Sequence, residues 1–281
     1  DKVVINFEGA LTHHTNAIRC EGKYRARTRY MLFLAYYSSK YCGKEVSIVN
    51  HCVDPGNSSA EEMIKNVYPL IKKCWVRDYI SKKNLENLGI NFAEFVPDAL
   101  YRFEHSEKYT SDREYICIGD TATLGYADWD VANFFEEMIK KLIDQGHKVI
   151  FIDGNMWKIT DTLQSLCSKL KVRWVHVDNT RWQDLASIFK RSKVFFSGRW
   201  HASILATICG TPSILYGTDS HKTKALHNDL GIQGRFYELT DLPKYKDEIF
   251  QRITNGNNME ASLLQYANSQ RKMVNKFYSS L

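Results

Sequence analysis

No apolar run in this 281-residue chain is long enough to cross a bilayer, and no signal-peptide pattern is read at its start. There is no Cys-x-x-Cys. The seven cysteines, Cys20, Cys42, Cys52, Cys74, Cys117, Cys167 and Cys209, are odd in number and scattered, several of them in apolar runs where a free thiol acts as a small hydrophobe. This excludes a disulfide framework and points to reduced thiols and a cytoplasmic setting. Metal-ligand spacing is also missing. His13 and His14 are adjacent and point in different directions, no third ligand stands at a recognisable distance, and no Asp-x-Asp pair ends a strand. The segment Gly119-Asp-Thr-Ala-Thr-Leu-Gly125 is neither a Walker loop nor a full dinucleotide fingerprint. No period suggests a solenoid.

The excess of positive charge is small, +6, and 44% apolar with 25% charged residues is ordinary for a globular protein. Cations do gather locally, in Lys23-Arg25-Arg27-Arg29 and in Lys72-Lys73. Such clusters could attract phosphorylated or carboxylated ligands, or hold the chain peripherally at the inner face of a membrane. No nucleic-acid-binding module accompanies them, so nucleic acid is not expected as a partner.

Apolar strands alternate with amphipathic helices throughout, the pattern of parallel βαβ units. The fold class expected is α/β, with two Rossmann-like domains of GT-B type, parallel sheets and an interdomain cleft. The N-terminal domain is read as 1–105 and as incomplete at its start, because Val3 to Phe7 is already a strand. The polar stretch Phe103 to Arg113 serves as linker. The C-terminal domain is read as 106–250, and 251–281 as a closing helix. Ser81 is expected to cap a helix that ends at Gly89, and Asp130 to Gln145 forms a strongly amphipathic helix stopped by Gly146.

The richest segment is Ser197 to Lys224. The strand Val194-Phe195-Phe196 leads into Arg199 and His201, then a helix stopped by Gly210, then a strand from Pro212 to Tyr216, then Lys222 and Lys224. In an open α/β sheet, ligands sit at the carboxyl ends of strands beside helix N-termini, which favour anions. A guanidinium binds carboxylate or phosphate through a planar fork, and an imidazole is suited to proton transfer near neutral pH. Arg77, after another apolar strand, is either a second anion contact or half of a structural Arg–Asp pair. Gly119 and Thr121 could let backbone N–H groups approach a phosphate. Glu8, at the end of the first strand, could accept a proton from a hydroxyl or cap the following turn. His13, His14 and Asn16 lie in a polar loop that could contact a sugar.

Ser197-Gly-Arg-Trp-His201, Gly210-Thr-Pro212 and a following Lys, in that order, resemble the C-terminal half of the polysaccharide pyruvyl transferase family. Arg77-Asp-Tyr-Ile-Ser81 resembles its N-terminal Arg-Asp/Glu-x-x-Ser signature. The resemblance implies transfer of a pyruvyl group from phosphoenolpyruvate to a sugar of a surface polysaccharide, with no cofactor. His201 and Glu8 would then be catalytic. Arg199, Arg77, Lys222, Lys224, Gly119 and Thr121 would bind the donor, and His13, His14 and Asn16 the acceptor, which could be lipid-linked. Where the family has Gly-Gly after the first strand, this chain has Glu8-Gly9. The alternatives are a glycosyltransferase of the same fold using a nucleotide sugar, and a non-catalytic glycan- or nucleotide-binding module.

Overall fold

A computed structural model describes residues 1–7, 10–12, 23–55, 58–104, 113–154, 159–218, 220–256 and 260–281. The chain divides into two compact units. Unit 1 comprises Asp1–Ala99, Ser220–Ala225 and Arg271–Leu281; unit 2 comprises Leu100–Asp219 and Leu226–Gln270. Both are built on a parallel sheet with helices, the α/β class expected from sequence.

In unit 1, β1 (Lys2–Asn6) and β2 (Ala10–Thr12) run end to end along β3 (Glu45–Asp54), which pairs with β4 (Lys73–Val76) and then β5 (Glu94–Phe95). Its helices are α1 (Lys23–Lys40), α2 (Ser58–Val67) and α3 (Tyr79–Asn87). Ile5, Val46, Ile48, Cys74 and Val76 pack with Leu32, Ile64 and Leu85 of the helices on one face of the sheet. On the other face Val49, Trp75 and Val96 meet Phe277 and Tyr278, the end of α10 (Glu260–Tyr278). The helix after β4 begins earlier than expected, because Asp78 is its N-cap and accepts from Ser81 N at 2.7 Å. Asp-x-x-Ser is thus the capping pair, and Ser81 lies inside the first turn.

Unit 2 contains β6 (Tyr115–Gly119), β7 (Lys148–Asp153), β8 (Arg173–His176), β9 (Ser192–Ser197) and β10 (Ser213–Leu215), in the spatial order β10-β9-β6-β7-β8. Successive residues of its strands feed opposite faces, as the two-residue pleat requires. Ile116, Ile118, Phe151, Val194 and Phe196 enter one cluster with Phe135, Leu142 and Leu163, from α4 (Val131–Asp144) and α5 (Thr160–Lys169). Cys117, Ile150, Ile152 and Phe195 enter the other with Leu185, Phe189 and Leu205, from α6 (Trp182–Lys190) and α7 (Trp200–Ile208). A sheet covered on both faces reads as continuous apolar runs, and the sequence has them. Asp130 caps α4, accepting from Asn133 N at 3.0 Å, and Gly146 ends it at φ +80°. Two helices not expected from sequence are α8 (Lys222–Asp229) and α9 (Lys246–Asn255).

Candidate active site

Unit 2 has a topological switch point. The chain leaves β6 toward β7 and β8 on one side, then crosses to β9 and β10 on the other, so the connections diverge between β6 and β9. Doubly wound sheets open a ligand crevice at the carboxyl ends of such a pair. There the chain places Asp120 after β6 and Gly198-Arg199 after β9, with Arg199 as the N-cap residue of α7.

Arg199 and Asp120 form a two-pronged ion pair. Arg199 Nε donates to Asp120 Oδ1 at 2.6 Å and Nη2 to Oδ2 at 2.7 Å. Asp120 is fully buried and also accepts from Gly154 N at 3.1 Å, while 21% of the Arg199 side chain is exposed. Burial alone would lower the guanidinium's pKa; the Asp120 charge and hydrogen bonds outweigh it and move the pKa up. A Cβ on Gly154 would lie 2.5 Å from Arg199 Nε, so the absence of a side chain there leaves room for the guanidinium. Ser197 Oγ donates to Asp120 O at 3.1 Å and accepts from Arg199 N at 3.0 Å, which ties the two strand ends together. His201 is the second residue of α7, partly exposed, in the turn where the orphan N–H groups of the helix point outward.

In unit 1 the strand ends of β3 and β4 build a second polar cluster. Arg77 is 3% exposed; its Nη1 donates to Asp98 Oδ2 at 2.7 Å and its Nε to Cys52 Sγ at 3.1 Å. Burial drives the Cys52 thiol's pKa well above its usual range despite the nearby Arg77 charge. His51, fully buried beside it, sits 2.9 Å from the Tyr68 hydroxyl; burial first, then the Arg77 charge, lower it to about 3, so this imidazole is neutral. Asp78 is also fully buried. It accepts from Ser81 Oγ at 2.7 Å and lies 3.1 Å, through Oδ1, from His221 Nε2; the other His221 nitrogen is 3.7 Å from Asp54. Burial opposes the His221 charge, but hydrogen bonds and charges from Asp54 and Asp78 raise the imidazole to about 9. Asp78 is in turn held down to about 2, against burial, by its hydrogen bonds and the His221 charge. His221 is therefore an imidazolium at neutral pH, and it anchors the residues that open α8. Lys222 follows it, and its charge acts on Cys52.

The other residues singled out in the sequence are spread over both units. Arg77 is buried and forms its ion pair with Asp98, 21 positions on in the chain. A Cβ on Gly119 would meet Ser197 Oγ at 2.6 Å and the Phe195 ring at 2.8 Å, so β9 packs against this position. Thr121 is fully buried, with its hydroxyl 3.4 Å from Gly198 O. Lys222 and Lys224 open a helix and do not end a strand; two positions apart, they face different sides of it, and Lys224 is exposed. Glu8, His13, His14 and Asn16 lie outside the described residues. Among the described residues, no three of His, Cys, Asp and Glu are grouped to hold a metal, and no helix is long and apolar enough to cross a membrane. Sequence reading missed Asp120 and His221. The first lay inside the Gly119–Gly125 segment, and the second stands beside Lys222.

The profile of the polysaccharide pyruvyl transferases matches residues 22–220, well over half of the chain and including both Arg77-Asp78 and Arg199-x-His201. The chain belongs to the polysaccharide pyruvyl transferase family. No curated protein matches it. Among solved structures, this family member is similar to the S. aureus MnaA–UDP co-structure (TM-score 0.57, 10% identity, covering 93% of this chain and 73% of that one). It is also similar to the pneumococcal O-GlcNAc transferase GtfA in complex with UDP and GlcNAc (TM-score 0.56, 10% identity, 90% and 54%). A variant of S. aureus TarM, crystallised with fondaparinux, α-GlcNAc-glycerol and UDP, matches at TM-score 0.50 and 10% identity, over 84% and 48%. The chain thus spans about half the length of TarM and GtfA. The shared architecture is that of the GT-B glycosyltransferases.

Proposed function

We propose that this chain is a glycan-modifying transferase that moves a pyruvyl group from phosphoenolpyruvate to a sugar diol. The observation that carries the reading is the placement of Arg199 and His201 at the start of α7, at the switch point of a doubly wound sheet, within the segment that the family profile matches. Asp120 holds the guanidinium plane, and the exposed edge of Arg199 receives the carboxylate or phosphate of the donor. His201 delivers a proton to the enol methylene carbon as a sugar hydroxyl adds to the adjacent carbon. Phosphate leaves and a second hydroxyl closes the ketal. The donor and the ketal are at the same oxidation level, so the reaction needs no redox cofactor. The hydroxyl proton is assigned to Glu8, and the acceptor is a carbohydrate, lipid-linked in the fullest form of the proposal. The reduced thiols suit a cytoplasmic enzyme.

A second reading is favoured by the UDP bound to MnaA, GtfA and TarM: the same strand ends would take the pyrophosphate of a nucleotide-sugar donor. Phosphate release from phosphoenolpyruvate over a panel of sugar acceptors separates the two. His201→Ala should lower kcat by roughly 10²–10⁴-fold with donor KM changed only a few-fold, since a proton donor acts mainly in the transition state. Near-normal turnover in His201→Ala would remove His201 from the mechanism.

A further inference from the structure

α1 buries one side and presents aromatic rings on the other. Leu32 and Ala35 sit in the core of unit 1. Tyr30, Phe33 and Tyr37, spaced three and four residues apart on one helical face, are 63%, 60% and 47% exposed, and Tyr41, four residues on, is 68% exposed. The rings form a ridge: Phe33 stacks on Tyr37 at 5.9 Å, and Tyr37 meets Tyr41 at 5.5 Å. Large apolar side chains left together in water mark an interaction surface.

The charge of the helix selects the partner. α1 has five cations and no carboxylate in its sequence, KYRARTRYMLFLAYYSSK. Arg29 and Lys40, both exposed, flank the ridge. Phenol and phenyl rings suit the boundary between headgroup and acyl chain, and cations beside them suit anionic headgroups. A second copy of the chain is a poor occupant, because a two-fold contact would set these cations against themselves. We propose that the Tyr30–Tyr41 face of α1 docks this chain peripherally on a bilayer surface rich in anionic phospholipid. The inference stands independently of the donor used in the reaction above.

The test is co-sedimentation of the full chain with vesicles of equal phosphatidylglycerol and phosphatidylcholine, against vesicles of phosphatidylcholine alone. Binding to the anionic vesicles should be at least tenfold tighter and should weaken in high salt. Tyr30→Ser/Phe33→Ser/Tyr37→Ser should lower the partition coefficient at least tenfold with an unchanged circular-dichroism melt. If that variant folds poorly, Arg29→Glu/Lys40→Glu, which alters only exposed cations, should lower it as well. Absence of binding to the anionic vesicles, or binding that survives both variants, would overturn the proposal. So would a dimer in sedimentation equilibrium that the aromatic variant dissolves, since a second copy would then cover the face.

Discussion

Replacing His221 with Ala removes the imidazolium held between Asp54 and Asp78. His221 is raised in the folded chain from its ordinary 6.5 to about 9. Two and a half pH units correspond to roughly 3 kcal/mol. Because the folded pKa is the higher one, this stability is fully present below about pH 6.5 and is lost as pH rises through about 9. At roughly 2–4 °C per kcal/mol, His221→Ala should melt on the order of 6–12 °C below the parent at pH 5.5. The gap should nearly vanish at pH 9.5. Thermal melts of both proteins at pH 5.5, 7.5 and 9.5, followed through the transition of unit 1, measure it. Asp78 keeps its two bonds from Ser81 in the variant, so α3 retains its cap and the loss is specific to the ion pair. A gap that is constant or grows with pH would refute the assignment of His221 as an imidazolium anchor.

Asp120→Asn removes the charge that Arg199 Nε and Nη2 face; with Arg199 partly exposed, the cost should be about 2–4 kcal/mol, read by chemical denaturation of unit 2. Gly119→Ala drives a methyl into Ser197 and the buried Phe195 ring, and should destabilise unit 2 by about 1–3 kcal/mol in the same assay; an unchanged midpoint would mean that β9 yields there.

Local signals in the sequence were legible where one element decided them. Asp130 and Gly146 bracket α4 because cap and terminator act within one turn of the helix they bound. The Arg199-x-His201 turn was readable because strand, cation and helix are contiguous. Pairings between distant segments were not. Asp120 lies 79 positions before Arg199, and Asp98 lies 21 after Arg77, so nothing local marks either carboxylate as the partner. Arg77 next to Asp78 suggested a neighbour pair, but adjacent residues leave the strand in different directions, and Asp78 turns to cap α3. β3 runs on to Asp54 through His51 and Cys52, where burial against Tyr68 and Arg77 holds an imidazole and a thiol in the strand. The close packing of β9 on Gly119 likewise becomes visible only once β9 lies beside β6.

The donor site is tested most directly by calorimetric titration of the protein with phosphoenolpyruvate, and separately with UDP, GDP and CMP, using the parent and Arg199→Ala. Phosphoenolpyruvate should bind the parent, and Arg199→Ala should weaken that binding by roughly 10- to 150-fold, the 1.5–3 kcal/mol of a charge-assisted contact. The nucleotides should bind weakly or not at all. Tight binding of a nucleotide to the parent, with no heat from phosphoenolpyruvate, would contradict the account and make a nucleotide sugar the donor.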